Sequence, residues 1–188
     1  NVFTPAMKCP VDVNKVKCVD FICVSNEQFD HFDRKAIELI VLRDKATVVA
    51  HESILNELNI PSQFKHNAKI GDSFNISGVK VDIKSAHYPN SFYPLSFFFS
   101  KEGESVFFAG NTDLMDDFAE IKSDVAILPI GGSSTMDVID AVRATKTMKP
   151  KYVIPMHYNS FSTILADPNE FRERIEKAEA NAKALSER

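Results

Sequence analysis

Val19-Asp20-Phe21-Ile22-Cys23-Val24, followed by Ser25-Asn26-Glu27-Gln28-Phe29-Asp30-His31, is the stretch from which the fold is read. The first six residues form a short, nearly continuous apolar run, as expected for a strand covered on both faces. The next seven turn abruptly polar. Asp33 then caps a helix from Arg34 to about Arg43, with Ile37, Ile40 and Val41 forming its buried stripe. Thr47-Val48-Val49-Ala50 reads as a second strand, and a short helix runs on to about Leu58, before Pro61.

From Ile70 the pattern changes. Ser73 to Ile76 and Val79 to Ser85 are two strands separated by Ser77-Gly78, a hairpin signal. Leu95 to Ser100 and Ser105 to Ala109 repeat the device around Lys101-Glu102-Gly103-Glu104. Val125 to Ile130, a helix from Asp137 to Met148 and a strand from Tyr152 to Pro155 restore the strand–helix rhythm. The tail from Pro168 to Arg188 is rich in Glu, Lys and Ala and is expected to be helical. Alternating strands and helices predict a layered α/β protein. No repeat or linker divides the chain, so 1–188 is read as one domain.

Asp30 and His31 resemble the end of the strand-terminal His-x-His-x-Asp-His signature of the metallo-β-lactamase superfamily. Asn26 and Gln28 fill its first two His positions. Further segments fall in that family's order. Ser85-Ala86-His87-Tyr88 supplies the next His, and Phe107 to Asp113 resembles the Gly-Asp-Thr motif, with Asn111 at the bridging carboxylate. Leu128-Pro129-Ile130-Gly131-Gly132 and Thr135-Met136 precede a helix, as in the branch of ascorbate-6-phosphate lactonase-like metal-dependent hydrolases. Val153 to Tyr158 ends on the last His, His157, and Asp167 to Phe171 opens the final helix. The ordered set, from about Val19 to about Phe171, is specific where each piece alone is weak.

The resemblance implies an αββα four-layer sandwich with its site on one edge. Family members begin with additional strands, and Asn1 to Lys17 is too short and polar to supply them all. Either those strands lie outside this chain, or one sheet lacks them and exposes an edge that invites pairing into a homo-oligomer.

The resemblance also implies the ligands. One metal would take Asn26, Gln28 and His87, the other Asp30, His31 and His157, with Asn111 between them. Three of these seven positions hold neutral amides, poor zinc ligands beside imidazole or carboxylate. Without a bridging carboxylate, two dications about 3.5–4 Å apart would repel with little offset. Asp30, His31 and His157 still suffice for one divalent metal, zinc or manganese, with His87 as auxiliary ligand and Asp30 and His87 as catalytic groups. Glu27 and Asp113 are near enough in sequence to compensate. The bland reading makes Asp30 a turn cap and His31 a hydrogen-bonded loop residue.

Two functions compete. One is a divergent hydrolase of a small ester, lactone or phosphate. The other is a silent, metal-free relative kept as a binding or assembly module. Tyr88, Tyr93, Tyr158, Asn159 and Ser160 are candidate pocket residues, whereas His51 is expected to begin a helix and His66 to lie in a surface loop. Gly131 to Ser134 reads as an anion cradle or, equally, as a plain tight turn.

Composition narrows the partners. With 44% hydrophobic and 26% charged residues the chain suits a soluble globular domain. A net charge of -4 leaves no electrostatic footprint for nucleic acid, which also argues against a nuclease relative. No apolar run reaches membrane-spanning length. No signal peptide is visible, although a chain that starts at Asn1 leaves room for a removed segment. Three cysteines, Cys9, Cys18 and Cys23, match no common zinc spacing and predict reduced thiols in a cytoplasmic protein. Cys23 is expected simply to fill space in its strand.

Overall fold

The computed structural model describes residues 11–178 and 183–184. Cys9 lies outside them. Three parallel strands form a small sheet in the order β1 (Phe21–Cys23), β2 (Thr47–Ala50) and β3 (Lys65–Asn67). Helices α1 (Arg34–Asp44) and α2 (Glu52–Glu57) connect them. Asp33 accepts a hydrogen bond from the Ala36 N–H and so caps α1, as its position predicts.

Seven strands build the second sheet. β4 (Ser73–Ile76), β5 (Val79–Ser85), β6 (Leu95–Lys101) and β7 (Glu104–Phe108) run antiparallel. Beyond β7 come β8 (Val125–Pro129), β9 (Tyr152–Met156) and the short β10 (Lys183–Ala184), all parallel to it. Both predicted hairpins form. Ser77 and Gly78, and likewise Glu102 and Gly103, have positive φ, the paired condition of a tight turn that matches strand twist. Helix α3 (Val138–Met148) links β8 to β9, and α4 (Pro168–Lys177) follows.

Three apolar layers hold the four structural layers together. β2 shows how the chain sorts itself. Val48 and Ala50 pack with Ile37, Val41 and Ile54 under α1 and α2. Val49, between them, points the other way, into a layer with Val81, Ile83, Leu95 and Phe97 of the large sheet. A strand buried on both faces needs apolar residues at every position, which is why its run is continuous. The third layer joins Phe107, Ala126 and Leu128 to Ala141, Val142 and Phe171 of α3 and α4. This is the expected αββα sandwich.

The small sheet covers only part of the large one. His66 of β3 packs on Phe74 of β4 at 4.0 Å, and Phe21 of β1 on Phe99 of β6 at 6.2 Å. Past β6, the positions that alternate with the buried ones are only partly covered: Val106, Val125, Ile127 and Ile154, with Tyr152 exposed. Among the described residues no helix is long and apolar enough to cross a membrane.

Three details differ from expectation. His66 lies in a strand rather than a surface loop, because pairing with β2 recruits a polar triplet that shows no alternation of its own. α4 ends at Lys177, and of the predicted helical tail 179–182 and 185–188 lie outside the described residues. Lys183 and Ala184 instead add an edge strand to β9, a tertiary pairing that overrides local helix propensity.

Cys23 packs against the inter-sheet layer, and burial pushes its thiol up to about 12. At pH 8 it is therefore neutral and shielded, whereas Cys18 is exposed. Iodoacetamide at that pH is expected to label Cys18 and spare Cys23 until the chain unfolds, as read by peptide mass. Equal labelling of both would mean that the two sheets separate readily.

Candidate metal centre

The parallel strands β1, β7, β8 and β9 all end at one edge, and their carboxyl ends carry the polar loops, the usual place for a site in sheets of this kind. The loop after β1 folds back on itself. Asn26 is fully buried; its Oδ1 accepts from the Gln28 N–H at 3.0 Å and its Nδ2 donates to Ser25 Oγ at 3.3 Å. Gln28 Nε2 donates to the Asn90 carbonyl at 2.6 Å. Glu27 accepts from Ser91 Oγ and from the Phe92 N–H, at 2.7 and 2.9 Å. Asn26 thus braces its own loop, and Glu27 and Gln28 tie that loop to the β5–β6 loop.

Asp30, His31 and His157 converge. Their potential ligand atoms lie within 4.8 Å of one another, the one such triad among the described residues. Asp30 Oδ2 is 3.5 Å from His31 Nε2 and 3.4 Å from His157 Nε2. The two imidazoles stack at 5.3 Å. Asn111, 1% exposed, sets its amide 3.3 Å from His157 Nε2. His157 has a φ of 53, a left-handed backbone at the end of β9. Such strain persists where surrounding structure imposes it, often at functional sites.

Electrostatics suit a cation. Burial raises the Asp30 carboxyl, but the hydrogen bond from His157 and the nearby His31 charge outweigh it, so Asp30 lies below its usual range and is ionised. Burial pushes His31 below the usual histidine range, and neighbouring His157 adds to this against the pull of Asp30. Neutral imidazole is the form that binds metal. His31 Nε2, Asn111 Oδ1 and His157 Nδ1 are buried without a hydrogen-bond partner among the described residues. Buried orphans of this kind are costly and ask for an explanation. A cation bound between Asp30, His31 and His157 would satisfy His31 Nε2, and turning the Asn111 amide over would offer it an oxygen. The donor set of two nitrogens and a carboxylate therefore fits a divalent metal. His157 Nδ1 lacks the carboxylate or carbonyl partner that a ligating imidazole usually has.

His87 stands outside the triad. Its Nδ1 is 3.1 Å from Asp113 Oδ2, both side chains being largely exposed. Its backbone is laced to the loop that carries Asn111: the His87 N–H donates to Thr112 Oγ1, and the Asp113 N–H to the His87 carbonyl. Glu27 and Asp113, each committed elsewhere, do not join the triad. In the turn after β8, Gly132 donates its N–H to the Met136 carbonyl and accepts from Thr135 Oγ1. Tyr88 lines a hollow beside the triad, as do Phe29, Phe161 and Ile164, which their sequence context does not signal. Tyr93 instead stacks on His51 at 4.1 Å, and His51 caps α2.

The sequence profile described as a β-lactamase superfamily domain matches residues 8–157. The chain belongs to the metallo-β-lactamase superfamily. Within that superfamily it is 34% identical over 169 residues to a metal-dependent hydrolase of Sulfurisphaera tokodaii, covering 85% of this chain and 74% of the relative. A metal-dependent hydrolase of Nanoarchaeum equitans is 33% identical over 180 residues, with 89% and 83% covered. Among solved structures, the metallo hydrolase Igni18 of Ignicoccus hospitalis superposes with a TM-score of 0.79 at 31% identity, over 90% of this chain and 76% of that one.

Proposed function

We propose that this chain is a metal-dependent hydrolase of a small ester, lactone or phosphate, working with a single divalent metal, zinc or manganese. The observation that carries this reading is the convergence of Asp30, His31 and His157 around His31 Nε2, which has no hydrogen-bond partner among the described residues. Relatives named metal-dependent hydrolases support it. A bound divalent metal supplies an acidified water and polarises the substrate oxygen. The chain's own groups do the rest. Asp30 stays ionised and holds a proton acceptor at the triad, and the Asn111 amide can hydrogen-bond a substrate oxygen. His87, paired with Asp113 at the exposed rim, is suited to carry protons to and from solvent. Asn26 and Gln28 use their amides to brace loops, which leaves His87 as the single strong donor for a second metal.

The test is metal content of chelator-stripped protein re-equilibrated with zinc or manganese, alongside hydrolysis of p-nitrophenyl esters and p-nitrophenyl phosphate. About one metal per chain, with turnover that appears on loading, is expected. Two metals per chain would sink the single-metal site, and equal turnover in stripped protein would sink metal dependence. The commitment of Asn26 and Gln28 to loop bracing also favours a second reading, a silent binding module. That module would take up no metal and would retain a small-molecule ligand.

A further inference from the structure

The hollow beside Asp30 and His157 measures about 180 Å³. Phe29 from the loop after β1, Tyr88 from the loop after β5, and Phe161 and Ile164 from the segment after β9 supply its apolar side. Phe29 and Phe161 meet edge to face at 5.7 Å, and Phe29 remains 60% exposed. No lysine or arginine is among the residues that line it. Apart from the one metal that Asp30 and His157 would hold, the charged group among its lining residues is the carboxylate of Asp30. Sites for phosphate rely on cations or on free backbone N–H groups. From the turn after β8 the hollow takes Ser133, while the Gly132 N–H donates to the Met136 carbonyl.

Both walls are built in advance. Gln28 fixes one through the Asn90 carbonyl. The other is closed by the Asn159 N–H donating to the Ile164 carbonyl at 2.8 Å and the Ala166 N–H donating to Asn159 Oδ1 at 3.0 Å. Ile164 is 4% exposed, so this wall is anchored in the fold. At roughly 30 Å³ per water the space equals about six waters, below the roughly 300 Å³ at which drug-sized pockets begin. One aromatic ring or a short branched chain fills it.

We propose that this hollow receives an uncharged apolar acyl or alkoxy group of about one ring's size, so that the substrate is a small carboxylic ester or lactone and not a phosphoester. This deepens the hydrolase reading above and rests on it. In the reaction the water oxygen bonds to the carbonyl carbon. The acyl carbon–oxygen bond breaks with its electron pair going to the alcohol oxygen, and the water protons end on the alcohol and in solvent.

Binding and turnover test the two claims separately. N-benzylacetamide, a neutral probe, and phenyl phosphate are titrated into metal-free and zinc-loaded protein while the Ile164 methyl resonances are followed. N-benzylacetamide is expected to shift them in both forms, and its affinity to fall at least about fivefold in Phe161→Ala, the scale of one aromatic contact. Phe29→Ala, at an exposed position, should show the same loss and guards against a folding defect at Phe161. In zinc-loaded protein, kcat/KM for p-nitrophenyl benzoate should exceed that for p-nitrophenyl phosphate, with the loss in Phe161→Ala carried mainly by KM. Intact N-benzylacetamide binding with no turnover of either substrate supports the pocket and sinks the hydrolase reading. Phenyl phosphate binding as tightly as the amide, preferred turnover of the phosphate, or unchanged amide binding in both variants overturns the pocket assignment.

Discussion

His157→Ala is expected to lower metal affinity by at least about 100-fold, since even groups that merely orient a ligand are worth roughly 10–100-fold. The substitution leaves Asp30 with one imidazole in place of two, and removes the ring that stacks on His31 at 5.3 Å. It should also cost the metal-free fold about 1–3 kcal/mol, because Asp30 loses its hydrogen bond from His157. Part of that cost is offset, since the lost ring carries a buried Nδ1 that has no hydrogen-bond partner among the described residues. Thermal unfolding with and without zinc separates the two effects. A ligand present at 100 times its Kd stabilises the folded state by about 2.7 kcal/mol. The unsubstituted protein should show such an increment and the variant should not, each measured against its own metal-free form. An equal zinc-induced increment in both would remove His157 from the ligand set.

Gly131→Ala should damage the same centre without touching a ligand. A methyl group at Gly131 would collide with the His157 carbonyl oxygen and fall 2.9 Å from Ile164 Cβ. The nearer obstacle is backbone, and Ile130 is already hydrogen-bonded to Met156 at the end of β9. No side-chain rotation can relieve such a contact, so β8 and β9 must part. Overpacking of this kind costs about 3 kcal/mol, and the shift carries His157 away from Asp30. Urea unfolding should show the lower midpoint with an unchanged slope, and zinc titration at least about a tenfold loss, the scale of a displaced supporting group. Stability and zinc affinity both equal to those of the parent protein would mean that the strand ends yield freely.

Much of the fold was legible because its signals are local. The continuous apolar run before Ser25, the Asp33 cap, and the Ser77-Gly78 and Glu102-Gly103 turns each act within a few residues, and each appears where the sequence predicts it. β3 escaped notice because Lys65, His66 and Asn67 carry no apolar alternation. Their strand conformation comes from backbone pairing with β2. The tail misled for the opposite reason: its Glu, Lys and Ala favour helix, yet an open edge of β9 claims Lys183 and Ala184.

The candidate site divides along the same line. From the sequence alone came the order of strands, the polar loops at their carboxyl ends, and the list of groups those loops present: Asp30, His31, His87 and His157, with amides at Asn26, Gln28 and Asn111. The strands and loops follow from the chemistry of neighbouring residues, and the list of groups from the resemblance to the superfamily's ordered motifs. Only tertiary structure decided which of them meet. His157 approaches Asp30 from a left-handed backbone that no local rule foretells, His87 is taken by Asp113, Asn26 is spent on bracing its own loop, and Gln28 on holding that loop to the β5–β6 loop. Phe29, Tyr88, Phe161 and Ile164 share one hollow although they lie on three separate loops. Side-chain direction at a strand end depends on the packing of distant segments, and sequence patterns describe only the near ones.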